Sequence, residues 1–477
     1  MSANVANKEF KLNYKRTLII GFAFFGILLL WQVYDLWCPT FLTELFKSSF
    51  GITDERQVQY LVGIMMAIDN LAALILLPIF GRISDKTNTR WGKRMPFIMV
   101  GTFVCAIAFP FIPVLFHYNN VAGVIALMAV VVLFAMMYRN PAVALMPDMT
   151  PKPLRSRANG IINIMGYLGG AFATVVGFAF VLSDYLGTSV DSAGNPKPHT
   201  WAYNNIWAVE GPFLVASVLM VISAVVLFVL IKENKIRDEV ADEMRRGDLV
   251  SATADKVDDD QPLSRANKIM LFLILGAEFF WFMADNGIST FLNNYVIYGT
   301  HSSSTSTSML TILGGVGSVI GFAIGGLIAA RIGRKWTVIS GLGLTLLSYL
   351  IWLVLTFAVG LPTGKLPIWL FVIWFIKGFG MSLVHVNSFP MVVELCNSKK
   401  IGAFTGYYYA ASMSAQTITP IALGSLFLVP AFDWNLLPVY ASICVAASIA
   451  IFVFVKNVKT KKTTFSKGLE ALGEADD

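Results

Sequence analysis

The residues of this chain that could carry chemistry are ionisable groups set singly inside long apolar runs. Asp35 lies among Trp31, Tyr34 and Trp37, Asp69 lies beside Asn70, and Arg139 is followed by Asn140 and Pro141. Glu278 and Asp285 are seven residues apart, and so on one helical face, with Trp281 and Phe282 between them; Lys377 and His385 are eight apart and share roughly one face. Burying an ionisable group in a bilayer costs at least ~2.5–3.5 kcal/mol on insertion scales, so these positions mark function more reliably than any others here. The chemistry they suit is binding and charge movement. A carboxyl group in a dehydrated cavity can hold and release a proton, and a guanidinium can keep a neighbouring carboxylate ionised or grip hydroxyls with two bonds at once. Asp35, Arg139 and Asp285 are the leading candidates, with Asp35 the expected partner of Arg139. Asp69 fits either a cation-coupling carboxylate or an inter-helix hydrogen bond. Glu278 fits a cavity contact or a pairing with Lys377, itself either a counter-ion or a ligand group.

What must hold such groups in place follows from composition. Of 477 residues, 56% are hydrophobic and 14% charged, against about 25% charged in a soluble protein. A soluble surface cannot be covered with so little charge, and no glycine period, polar bias or cysteine richness points elsewhere. Cys38, Cys105, Cys396 and Cys444 stand singly in apolar surroundings, and neither they nor the four histidines make a metal-binding pattern. No metal site and no organic cofactor are expected. The phosphate-cradling Gly-x4-Gly-Lys-(Ser/Thr) signature is missing, so ATP is not expected to act directly.

About 20 apolar residues cross a bilayer core as a helix. Twelve such runs are predicted, at 17–42, 58–80, 95–116, 121–147, 156–183, 207–231, 268–298, 306–330, 336–359, 366–394, 401–430 and 435–455. The first lacks a small-residue cleavage site and reads as a retained span. The expected organisation is a tail (1–16), a six-helix bundle (17–231), a charged linker (232–267) with the run Asp258-Asp259-Asp260, a second six-helix bundle (268–455) and a tail (456–477). Of the 36 Lys and Arg residues, 30 fall in segments on the side of the N-terminus and four (Lys47, Arg56, Lys197, Lys365) on the other, while Arg139 and Lys377 lie within spans. That bias predicts cytoplasmic termini in a plasma-membrane protein. It also accounts for the net charge of +7 without nucleic acid as a partner.

The two halves echo each other. Trp31-x3-Asp35 recurs as Trp281-x3-Asp285, and Asp148, twelve residues before Gly160, recurs as Glu394, twelve before Gly406. Gly81-Arg82-Ile83-Ser84-Asp85-Lys86 with Arg90-Trp91-Gly92-Lys93-Arg94 is echoed by Gly326-x4-Arg331-Ile332-Gly333-Arg334-Lys335. The offsets are nearly equal. They also set His385 opposite Arg139. Six-plus-six spans with these motifs after the second and eighth resemble the major facilitator superfamily (MFS). More narrowly, Pro78-x2-Gly81-x2-Ser84-Asp85 through Arg94-x-Pro96-Phe97, and Arg139-Asn140-Pro141 through Pro147-Asp148 and Arg155-x-Arg157-Ala158-Asn159, resemble its glycoside–pentoside–hexuronide symporter and sucrose-transporter branch.

That resemblance implies an all-α fold of two pseudo-symmetric bundles and alternating access around a central cavity. It implies an acidic residue for sugar and cation on the fourth span, where this chain has Arg139; the reversed charge argues against sodium coupling through that position. Asp85 is expected to meet a neighbouring helix N-terminus or a loop Arg. With Ala330 at the matching place, the latch is expected to be asymmetric, with Asp148 and Glu394 adding contacts. The cytoplasmic gate set is Gly81, Asp85, Arg90, Gly92, Lys93, Arg94, Asp148, Arg155, Arg157, Arg331, Gly333, Arg334 and Glu394.

Sugars offer C–H faces to aromatic rings and hydroxyls to amides. Trp31, Tyr34 and Trp281 are candidates for the first, and Asn163, Asn286, Asn294, Asn387 and Gln416 for the second; helix packing alone also accounts for buried amides. Gly169-Gly170 and the run Gly314, Gly317, Gly321, Gly325 read as close-packing faces. The function expected is a proton-coupled disaccharide or glycoside symporter, monomeric, embedded in lipid. The rivals are a sodium-coupled glycoside symporter and a proton-coupled drug or metabolite exporter. No nucleophile–base pair or paired catalytic carboxylates supports an enzyme.

Overall fold

The computed structural model describes residues 10–191, 193–198, 200–254, 265–395 and 401–456. The expected tails beyond them, the acidic run 258–260 and Lys399 and Lys400 fall outside the described residues. Helices make up most of the described residues.

Helix α1 (Tyr14–Phe50) is started by Asn13, whose side chain accepts the Arg16 N–H, and stopped by Gly51 in the left-handed region at φ 63°. It runs eight residues past its predicted end because nothing before Gly51 breaks it. Pro39 is tolerated inside, where the Thr43 hydroxyl donates to the Pro39 carbonyl at 2.8 Å. Then come α2 (Gln59–Lys86), α3 (Met95–Ala108), α4 (Phe111–His117), α5 (Val121–Asp148), α6 (Arg155–Ala179), α7 (Leu182–Leu186) and α8 (Trp207–Leu230). After α9 (Glu233–Ala254) follow α10 (Arg265–Asn294), α11 (Thr305–Ile332), α12 (Arg334–Val359), α13 (Ile368–Val393), α14 (Ile401–Leu426) and α15 (Leu436–Phe452).

Among the described residues ten helical stretches are long and apolar enough to cross a membrane. The predicted eleventh and twelfth spans coincide with α14, which is not among those ten, and with α15, which has only 17 residues. The chain is a multi-pass membrane protein. Side chains exposed along the spans, such as Ile107, Val175, Phe272, Val354 and Ile443, are apolar, as a lipid-facing surface requires. Within the segment expected as a charged linker, Glu233–Ala254 forms the polar helix α9.

The helix pairings repeat. In the first half of the chain α1 packs on α6 and α8, α2 on α5, and α3 on α5 and α8. In the second, α10 packs on α14 and α15, α11 on α13, and α12 on α13 and α15. Each first-half pair maps onto a second-half pair six spans later, so the sequence echoes correspond to one packing scheme used twice. Between the halves α2 meets α14, α6 meets α11 and α1 meets α10.

Glycine permits the tightest of these approaches. A Cβ on Gly317 would run into the Phe375 carbonyl, and one on Gly169 into the Phe25 carbonyl, so both predicted small-residue faces are close-packing faces. Aromatic clusters fill the rest. Phe41 stacks on Phe116 with centroids 4.2 Å apart, beside Phe213 and Trp37. In the second half Trp352 lies edge-on to Tyr295 and donates to its hydroxyl at 3.1 Å.

Candidate functional site

Two polar centres sit midway along the spans, one in each half. In the first, the Tyr34 hydroxyl of α1 donates to Asp69 Oδ2 of α2 at 2.6 Å. Trp31 lies edge-on to Tyr34, with centroids 5.6 Å apart. Asp35 is near enough to Tyr34 and Asp69 to act on both electrostatically, and it is exposed although Tyr34 and Leu36 beside it are buried. Exposure at that depth means contact with a cavity. Pro39 has no N–H to return to the Asp35 carbonyl, so this backbone oxygen lacks its helical partner as well. Among the described residues no ion pair joins Asp35 to Arg139, so the expected pairing is not formed in this conformation. Arg139 stands half-buried on α5, beside Asn140, whose amide donates to the Leu77 carbonyl of α2 at 2.6 Å.

In the second centre Lys377 of α13 donates to Asp285 Oδ1 of α10 at 2.5 Å. His385 lies close enough to act on Asp285, with its ring 5.4 Å from that of Phe282. The expectation that Glu278 could pair with Lys377 is not met: Lys377 takes Asp285, and Glu278 is fully buried.

The halves are joined at the end opposite the basic loops. Asn294 Nδ2 donates to Thr43 Oγ1 and Gln59 Oε1, both at 3.0 Å, and its Oδ1 accepts from Thr40 Oγ1 at 2.8 Å. Asn293 Nδ2 donates to the Leu36 carbonyl at 2.9 Å and to Thr40 at 3.1 Å, while its Oδ1 accepts from Thr307. The Ser304 N–H donates to Ser183 Oγ at 3.0 Å, and the Tyr298 hydroxyl to Glu44 at 2.7 Å. Both donor hydrogens of the Asn294 amide and one acceptor site of its oxygen go into this seal, so in this conformation it joins the halves. Backbones touch there too: a Cβ on Gly63 would strike the Pro420 carbonyl, and one on Gly424 would lie 2.5 Å from the Gln59 carbonyl.

At the basic end the described ion pairs stay within a half. Arg94, just before α3, binds Asp85 of α2 at 2.5 Å and Asp148 of α5 at 2.8 Å, and donates to Ser84 at 2.6 Å. Burial alone would lower the Arg94 pKa, but the two carboxylates outweigh it and raise it. Arg334, which opens α12, binds Glu394 at 3.1 Å. Asp148 and Glu394 therefore each hold an arginine at the start of the third span of their half, although the motif echo sets Arg94 against Lys335 and Arg334 against Lys93, and the Asp85 contact is the extra one in the first half. The N-terminus of α3 is not met by Asp85. It is taken by Glu233 of α9, whose carboxylate accepts the N–H groups of Lys93, Arg94 and Met95 at 2.7–3.0 Å. Gly92 has φ 119°, and a Cβ there would collide with Glu233.

The remaining predicted residues are placed as follows. Arg90 lies 4.6 Å over the Trp91 ring, and Arg155 donates to the carbonyls of Thr150 and Pro147, closing the end of α5. Arg157 and Arg331 are exposed. Gly333, at φ 87°, turns α11 into α12. Gly81 leaves room for Asn140 against α2. Asn163 is buried on α6, and Asn387 is buried and donates to Leu383 of its own helix. Trp281 is fully buried against Phe452, so its face is not open to a ligand here. Asn286 is half-buried. Gln416 contributes its backbone: Pro420 leaves the Gln416 carbonyl without a helical donor, and Asn70 Nδ2 supplies one at 3.1 Å.

Sequence reasoning missed Glu233 and the seal formed by Thr40, Thr43, Gln59, Asn293 and Thr307. The signal available for the seal was the tandem Asn293-Asn294 inside an apolar span, with Thr40 and Thr43 one turn apart on α1.

Residues 19–458 match the family model described as MFS/sugar transport protein. The chain belongs to that family. The resemblance to the MFS, drawn from the six-plus-six spans and the motifs after the second and eighth, is thereby borne out over nearly the whole chain. A lactose permease of Lactobacillus helveticus is 30% identical over 76 residues, which is 15% of this chain and 12% of that permease. Among solved structures, the POT family transporter PepTSo superposes with a TM-score of 0.64 at 11% identity, covering 93% of this chain and 98% of that one. An auto-inhibited POT family peptide transporter gives 0.62 at 11% identity, covering 96% and 99%. At such identities these likenesses show that this MFS/sugar transport protein has the same fold, and nothing more.

Proposed function

We propose that this protein is a proton-coupled symporter of a disaccharide or other small glycoside, in the plasma membrane with its termini in the cytoplasm. The observation that carries the reading is the first centre. Asp35 and Asp69 share one site with the Tyr34 hydroxyl, and among the described residues no lysine, arginine or histidine pairs with either carboxylate. Two close carboxylates repel unless a cation or a proton joins them, so their ionisation is tied to what the cavity holds.

The second centre supplies the other half of the chemistry. Asp285 and Lys377 are partly open to water, at 32% and 15% exposure, and their hydrogen bonds can be exchanged for those of sugar hydroxyls. Taking the basic loops as cytoplasmic, the seal at the far end and the separate latches describe an inward-facing state. Opening outward requires the Asn293–Asn294 seal to part and the basic end to close. The family match and the lactose permease segment support a sugar as the cargo.

Purified protein in vesicles with an imposed pH gradient tests this, with lactose first in a broad panel of glycosides. Uptake that dissipates the gradient is expected, and both Asp35→Asn and Asp69→Asn should abolish accumulation while sparing exchange. No uptake of any sugar in the panel would overturn the reading. Accumulation that follows a sodium gradient and ignores pH would replace the proton as the coupling ion.

A further inference from the structure

Glu278 stands apart from both centres. It is fully buried on α10, and among the described residues neither carboxyl oxygen has a hydrogen-bond partner. Trp281 Nε1, one turn on, is also buried without a partner. Seven residues separate Glu278 from Asp285, about 10.5 Å along the same helix face. The titratable groups on the surrounding helices are engaged elsewhere or lie out of reach. Lys377 of α13 is held by Asp285, and His385 of the same helix lies beside Phe282. From α14, Tyr408 is bonded to Ser388; α15 brings Tyr440 and Cys444, α12 brings Tyr349, and α1 brings Asp35. None of them bonds to Glu278.

An ionised carboxylate with no partner in a dry interior is among the costliest arrangements a protein can hold, and the group keeps a proton instead. The same helix carries the seal at one end (Asn293, Asn294) and the Asp285 pair in its middle. Parting the seal therefore moves α10 against its neighbours and changes the surroundings of Glu278. We propose that Glu278 is a proton-holding site of the transport cycle, distinct from Asp35 and Asp69. It is loaded while the far end is sealed and exchanges its proton with water only when α10 shifts: the O–H bond breaks, the proton passes to water, and the carboxylate that remains is hydrated. The transport role rests on the symport reading above, whereas the proton-holding role does not.

The test uses the full chain with its four cysteines replaced and Ser302→Cys, a buried position at the sealed end, as a reporter for thiol labelling. If one proton is held in the sealed state and not in the opened one, raising pH favours opening by up to tenfold per unit. Labelling is expected to rise with pH in the parent and in Glu278→Asp. Glu278→Gln, which mimics the neutral acid and should fold, is expected to lose that step. An identical pH profile in Glu278→Gln overturns the proposal. In vesicles, Glu278→Gln should keep lactose exchange and lose uphill lactose accumulation; unchanged accumulation also overturns it. The labelling needs no substrate, so a parent protein that ignores lactose would count against the sugar reading while the pH profile still decides the role of Glu278.

Discussion

Lys377 on α13 donates to Asp285 on α10 at 2.5 Å, joining two helices that otherwise touch little. The pair is neither dry nor fully solvated, with the lysine 15% and the aspartate 32% exposed. Removing one partner leaves a charge that water only partly reaches, while removing both leaves none. Lys377→Ala is expected to lower the thermal midpoint by more than the double variant Lys377→Ala/Asp285→Asn. The cost should stay below the 3–5 kcal/mol of a fully buried pair. A double-mutant cycle in detergent, followed by unfolding, measures it, and equal midpoints would show that the pair contributes no coupling.

Gly63 lies against the Pro420 carbonyl of the other half. A methyl group there meets backbone, which cannot swing aside as a long side chain could. Gly63→Ala is expected to hold the far end apart and raise thiol labelling at Ser302→Cys by about tenfold or more, a shift of ~1.4 kcal/mol. Unchanged labelling would mean that α2 and α14 can slide to accommodate it.

Asn294 bonds to Thr40, Thr43 and Gln59 across the seal. Asn294→Ala leaves three buried polar groups short of a partner, at about 1 kcal/mol each. The closed end should open more often without loss of the fold. Labelling at the seal should rise while the thermal midpoint moves little, and a large drop in midpoint with no gain in labelling would make Asn294 a folding residue instead.

Glu233 holds three N–H groups at the start of α3. Glu233→Ala removes a charge-assisted cap, a loss of about 2 kcal/mol. Protease nicking between Thr87 and Arg94 should become faster, and Glu233→Gln, which keeps an acceptor, should fall in between. Equal cleavage rates in all three proteins would show that the loop is held by other contacts.

Much of this was legible in the residues. Apolar runs of the right length place the helices because a bilayer leaves the backbone no other way to satisfy its hydrogen bonds. The Asp148 and Glu394 echo pointed to a basic contact in each half, and Ala330 to an asymmetric latch: Asp148 holds Arg94, Glu394 holds Arg334, and in the first half Asp85 joins the pair. The polar positions inside the spans were equally visible, since each is costly and stands out against its neighbours.

Partners were not legible, because a side chain's partner depends on how helices rotate and pair. Asp35 and Arg139 looked complementary, yet the packing of α1 on α2 sets Asp35 beside Tyr34 and Asp69. Asn294 looked like a ligand, and the meeting of α1 with α10 turned it into a seal. Glu233 was one acidic residue among many in a charged stretch until α9 brought it to the N-terminus of α3. By itself the sequence determined which residues enter the bilayer and which of them are charged, through hydropathy and the cost of burial. Only the tertiary structure decided which of those charges meet and which stay alone, because that depends on contacts between segments far apart in the chain.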